Sequence, residues 1–171
     1  ENLAAHGVMA PTVYQGFSGR DAFRRVLEIR RDCGMAGEPL LFIGGSIFPN
    51  SARYFDSVAG IAREHGVEQV YFWGHDEARG EKLMDALPAK LKVREAGHRS
   101  FATMYFGWND IIGGHGVPDL AILCGPRPWR DERMRAAGGK VFCYANPQAT
   151  ADSPAKYRRN YGYQLFRNGF D

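Results

Sequence analysis

The sequence predicts an α/β fold with parallel strands, and three observations carry that expectation. Short β-rich runs recur roughly every 20 to 30 residues, with helical patterns in most of the gaps. Most of these runs are continuously apolar, the pattern of strands covered by helices on both faces. Glycine supplies 21 of 171 residues, which suits many tight connections. At about 100–200 residues per domain, the chain is expected to form one domain over residues 1–171.

Six runs read as strands: Thr12 to Tyr14, Leu40 to Ile43, Val70 to Trp73, Phe101 to Tyr105, Leu120 to Leu123 and Val141 to Tyr144. After the first, Phe23, Val26, Leu27 and Arg30 stand at helical spacing, with Ser18 as the expected cap and Gly34 as the stop. A second helix starts near Asn50 and Ser51, buries Tyr54, Phe55, Val58, Ile61 and Ala62, and ends at Gly66. The third runs from about Gly80 through Leu83, Met84 and Leu87, with Pro88 kinking or restarting it before Gly97. Gly107 to Pro118 is glycine-rich and reads as a loop, and Arg130 to Ala137 as a short helix closed by Gly138 and Gly139. In the last helix Ser153 is the cap, Pro154 takes the first helical position, and Tyr157, Tyr161 and Leu165 form one stripe up to Gly169.

Six parallel strands belong either to an open doubly wound sheet or to a partial (β/α)8 TIM barrel of about six βα units. A complete barrel takes about 250 residues. The chain begins at Glu1 and stops at Asp171 where a new strand could follow, so it reads as a trimmed section of a larger barrel. The compartment stays open; a secreted or periplasmic parent is compatible with the sequence.

Composition narrows the partners. Lys+Arg 22 against Asp+Glu 19 gives a net charge of +3, too weak to argue for nucleic acid. Arg127, Arg130, Arg133 and Arg135 lie close together, but Asp131 and Glu132 interrupt them, as on a solvated helix face. No stretch approaches the ~18–20 apolar residues of a membrane span. Cys33, Cys124 and Cys143 form no C-x-x-C pair and read as structural thiols. Gly44-Gly45-Ser46 follows a strand but lacks the later glycine and lysine of phosphate-binding loops, so a tight turn explains it. Histidines are scattered, and no cofactor or metal is expected. Oligomeric state is left open.

Ligands meet the carboxyl ends of the strands in both architectures. Of the six strand ends, only Trp73-Gly74-His75-Asp76-Glu77 places acids there. One plain explanation is a helix-start cap. The other is catalysis: glycosidic cleavage needs an acid for the leaving oxygen and a group to stabilise the cation-like anomeric carbon. Neighbouring carboxyls on one strand end approach from the same side, which suits substrate assistance better than double displacement. There a 2-acetamido group attacks the anomeric carbon, one carboxylate orients that amide, and the next is acid and then base.

Two stretches resemble bacterial β-N-acetylgalactosaminidase-like glycoside hydrolases. The first is Tyr71-Phe72-Trp73-Gly74-His75-Asp76-Glu77-Ala78, similar to the family's aromatic strand ending in an Asp-Glu pair. The second is Val141-Phe142-Cys143-Tyr144-Ala145-Asn146-Pro147 with Tyr157-Arg158-Arg159 and Leu165 to Asp171, similar to its late strand and Arg-bearing helix. The resemblance implies that Asp76 orients the acetamido group and Glu77 is the general acid/base, in a hydrolase cleaving a terminal 2-acetamido sugar. Ala78 stands where the family commonly has Pro. Candidate sugar-binding residues are Tyr14, Gln15, Trp73, His75, Tyr105, Trp108, Asn109, Tyr144 and Asn146, aromatic and amide groups suited to pyranose faces and hydroxyls. The alternatives are a non-catalytic carbohydrate-binding barrel and a glycosidase of other sugar specificity.

Overall fold

Every apolar run forms a strand. The protein is seen in a computed structural model that describes residues 2–44, 51–105, 115–125, 136, 138–144 and 153–170. The strands are β1 (Thr12–Val13), β2 (Leu40–Phe42), β3 (Val70–Trp73), β4 (Arg99–Met104), β5 (Leu120–Cys124) and β6 (Lys140–Tyr144). The helices are α1 (Asn2–Ala5), α2 (Arg20–Asp32), α3 (Ala52–Glu64), α4 (Glu81–Glu95), α5 (Pro154–Tyr157) and α6 (Gln164–Arg167). The fold is α/β. The chain divides into two compact units, Glu1–Gly74 with Pro88–Ser100, and His75–Leu87 with Phe101–Asp171.

In the first unit β1 pairs with β2 and β2 with β3, all parallel and in chain order. Leu40, Leu41 and Phe42 are all buried, as a strand covered on both faces requires. Phe23 and Leu27 on α2 and Phe55, Val58 and Ala62 on α3 recur at helical spacing and pack on Leu40, Phe42 and Phe72. Ring contacts tie these layers, with centroids 5.3 Å apart for Phe23–Phe42 and 4.9 Å for Phe55–Phe72. Each such side chain contributes about 1.5–3 kcal/mol on full burial.

The α2 start corrects the expected cap. Gly19 takes the N-cap position rather than Ser18, with no side-chain cap bond. The expected stop holds. Gly34 has φ +78°, its N–H donates to Arg31 O at 2.9 Å, and Met35 N–H donates to Arg30 O at 2.9 Å. That is the left-handed exit that satisfies the last carbonyls of a helix.

Gly44 has a packing reason. A Cβ built there would lie 1.8 Å from the Gln15 carbonyl oxygen and 2.5 Å from its carbon. Two backbone segments therefore meet where only glycine fits; Gly45 and Ser46, the rest of the expected tight turn, lie outside the described residues. Gly44→Ala is expected to destabilise the protein by about 1–3 kcal/mol, as overpacking does, read as a lowered urea midpoint.

In the second unit β4 pairs with β5 and β5 with β6, again parallel. Alternation along the strands sorts their side chains. Ala102, Met104, Ala121, Leu123 and Val141 form one face, packed with Ala78, Leu83 and Phe170. The intervening residues Thr103, Ile122, Cys124, Phe142 and Tyr144 are half-buried. The register places Thr103 beside Ile122, Ile122 beside Phe142, and Cys124 beside Tyr144.

Helix α4 continues through Pro88 without the restart that was one of the two expectations there, and the division between the units falls at that residue. Its buried positions are Leu83, Ala86, Lys90 and Val93, a 3-4-3 spacing that places a lysine on the apolar stripe. Met84, through which the expected helix also ran, is exposed.

The last helix departs from expectation in its middle. Ser153 is the N-cap without a side-chain bond and Pro154 is at the first turn, but Arg158–Tyr163 is π-helical between α5 and α6. A π segment breaks the 3.6-residue period on which the expected stripe rests; the side chains of Tyr157 and Tyr161 lie outside those described. Residues 107–114 of the expected loop, and 130–135 and 137 of the expected short helix, lie outside the described residues.

Candidate active site at the carboxyl ends of the strands

The second unit holds five of the described sequence-predicted residues, His75, Asp76, Glu77, Tyr105 and Tyr144, and four of them build the site. Asp76 and Glu77 come from the segment leading to α4, Tyr105 follows the end of β4, and Tyr144 ends β6. Thr103 holds the acidic segment from β4. Its N–H donates to His75 O at 3.1 Å, and Glu77 N–H donates to Thr103 O at 3.1 Å. This pattern, flanking Asp76 on both sides, is that of a parallel ladder with Thr103 opposite Asp76. The two side chains therefore stand side by side. The Thr103 hydroxyl donates to Asp76 Oδ1 at 2.5 Å.

Glu77 carries the unusual backbone. Its φ of +48° is left-handed, and no other non-glycine residue among those described has a positive φ. A Cβ-bearing residue is disfavoured there, and such conformations persist where surrounding bonds over-determine them. Here Glu77 N–H lies 3.1 Å from Thr103 Oγ1 as well as from its carbonyl oxygen. The side chain is equally determined: Tyr105 OH donates to Glu77 Oε2, and Tyr144 OH donates to Oε1.

Two phenol donors favour the ionised carboxyl. The hydrogen bonds from Tyr105 and Tyr144 hold Glu77 below the usual carboxylate range, and Arg79 adds to them against desolvation. The phenols shift the other way. Tyr105 is raised chiefly by its bond to Glu77, and Tyr144 by burial and then by that bond. Both therefore remain protonated donors at neutral pH. The Arg79 guanidinium carbon lies 3.6 Å from the Tyr105 ring centroid, a cation–π contact that steadies this ring. Burial pushes the neighbouring Cys143 thiol up to about 11, away from thiolate chemistry.

Of the acid pair, Asp76 is exposed and Glu77 half-buried. The remaining predicted residues divide by position, with His75 half-buried beside the pair. Tyr14, Gln15 and Trp73 belong to the first unit. Tyr14 is 74% exposed, and Gln15 Nε2 donates to Gly16 O at 3.2 Å. Trp73 is half-buried at the end of β3. Trp108, Asn109 and Asn146 lie outside the described residues.

Three residues of the site escaped sequence reasoning. Thr103 sits in a run read as uniformly buried strand, although it is the one polar residue between Phe101 and Tyr105. Arg79 reads as a helix-start residue, and Cys124 as a structural thiol. Cys124 lies across from Tyr144 and contributes to raising its pKa. Compared with known proteins, the chain matches no family model, no curated protein and no solved structure.

Proposed function

We propose that the protein is a glycoside hydrolase that cleaves a terminal 2-acetamido sugar, of the N-acetylgalactosamine type, by substrate-assisted retaining hydrolysis. The observation that carries this reading is Glu77, a carboxyl in a left-handed backbone with a tyrosine hydroxyl on each oxygen, next to a second carboxyl. We also read the two runs of parallel strands as parts of a (β/α)8 barrel, the architecture that gathers strand-end residues of this kind.

In the proposed reaction, Asp76, oriented by Thr103, accepts the N–H of the acetamido group and supports the charge that develops as its carbonyl oxygen attacks the anomeric carbon. The bond to the leaving oxygen breaks as Glu77 delivers its proton there. Glu77, then a carboxylate, takes a proton from the water that opens the cyclic intermediate. In the empty site Glu77 is ionised. Sugar hydroxyls that compete for Tyr105 and Tyr144 withdraw donors from the carboxylate, and each donor lost raises its proton affinity. The same ionised state suits the rival reading, a non-catalytic site in which carboxylates and phenols only bind sugar hydroxyls; turnover separates the two.

The test is the pH dependence of kcat/KM on an aryl 2-acetamido glycoside. Its alkaline limb reports the acid of the free enzyme. Tyr144→Phe removes a donor to the ionised form, so the Glu77 pKa rises and the limb moves to higher pH. A lowered rate with an unmoved limb would leave Tyr144 a packing residue and remove Glu77 as the acid.

A further inference from the structure

The first unit holds a cavity of about 470 Å³ between α1, β1 and α2. That volume is within the ~300–1,000 Å³ of small-molecule pockets. The wall is mainly aliphatic, through Leu3, Val26, Ile29 and Met35. Arg30 is the one charged side chain lining it among the described residues.

Arg30 lies on the buried face of α2 and is 4% exposed. Its Nη2 donates to the carbonyl oxygens of Met35, Glu38 and Pro39 at 3.3, 3.2 and 3.3 Å. Nε and Nη1 are buried and have no hydrogen-bond partner among the described residues. A buried guanidinium that bonds no carboxylate is costly, and unsatisfied donors of this kind call for a partner. Burial also depresses the Arg30 pKa; the nearby Glu38 charge offsets part of that shift, and an anion in the cavity would relieve the rest. Nη2 is held by the three carbonyls, which leaves Nε and Nη1 as the donors available to a ligand in the cavity that Arg30 lines.

We propose that this cavity binds an amphiphilic carboxylate, its headgroup paired with Arg30 and its hydrocarbon lying along Leu3, Val26 and Ile29. The charge of Arg30 selects the head, because a carboxylate accepts the donors that have no acceptor among the described residues. The aliphatic wall selects the tail. This site is independent of the carboxylate pair in the second unit.

Titration calorimetry with decanoate and with decan-1-ol, both below aggregation, tests the proposal. Decanoate is expected to bind at one site, and decanol at least tenfold more weakly. Ile29 lines the cavity and is 49% exposed, so Ile29→Glu places a like charge near the head without removing core packing. This variant should keep the wild-type melting temperature and lose at least tenfold in decanoate affinity. It serves where Arg30→Met fails to fold, since Arg30 also ties the 35–39 segment. Cys33 lines the same cavity, so decanoate should slow its alkylation by N-ethylmaleimide in peptide mapping. No saturable binding, equal affinity for acid and alcohol, or unchanged affinity in Ile29→Glu would each overturn the proposal. A dimer that decanoate does not oppose would assign the surface to a second copy instead.

Discussion

Glu77→Gln is expected to lower kcat by about 10²–10⁴-fold on a 2-acetamido glycoside with an alkyl leaving group. On the corresponding 2,4-dinitrophenyl glycoside the loss should be far smaller, because that phenolate departs without a proton. The contrast comes from the role, since the amide of Gln is close to the carboxyl in size yet cannot deliver the proton. It retains one acceptor for the phenols of Tyr105 and Tyr144, so the variant should stay folded. Steady-state kinetics on the two substrates check this. Equal losses on both would mean that Glu77 acts by binding or structure and that the proton comes from elsewhere.

Lys90→Met is expected to stabilise the protein by up to about 3 kcal/mol at pH 7. Lys90 is fully buried on the core-facing stripe of α4, and its Nζ has no hydrogen-bond partner among the described residues. Burial lowers its pKa from 10.5 to about 8. At about 1.4 kcal/mol per unit, the destabilisation reaches its full size below pH 8, where both folded and unfolded states are protonated. Between pH 8 and 10.5 the unfolded chain binds the proton and the folded one releases it, so stability rises with pH across that window. Methionine matches the length of the stem without the charge. At about 2–4 °C per kcal/mol for a chain of this size, the melting temperature should climb by several degrees. The rise in stability above pH 8 should vanish in the variant. A lower melting temperature would show that the ammonium of Lys90 is paired.

Pattern carried most of the fold. The runs around Leu40, Val70 and Leu120 are apolar because the strands are covered, and the helices close where left-handed glycines such as Gly34 stand. What pattern missed has physical causes. A lysine at position 90 reads as a solvent residue, and only the fixed spacing of Leu83, Ala86 and Val93 would have placed it inside. The π-helical Arg158–Tyr163 has no spacing signature of its own. For the site, adjacent acids after an aromatic strand were legible as Asp76 and Glu77, and Tyr105 and Tyr144 as strand-end aromatics. Their convergence on one carboxyl was not, because it depends on β4 and β6 standing either side of β5. Thr103 was hidden for the same reason: its role comes from facing Asp76 across strands rather than from its neighbours in sequence.

The proposed chemistry turns on a sugar's own amide completing the reaction beside two consecutive acids. Release of 4-nitrophenol from the 4-nitrophenyl 2-acetamido-2-deoxy-β-galactoside, set beside its 2-hydroxy counterpart, measures this most directly. Turnover of the first alone is expected, reduced at least a hundredfold by Asp76→Asn. Equal turnover of both sugars, or none of either, would contradict it.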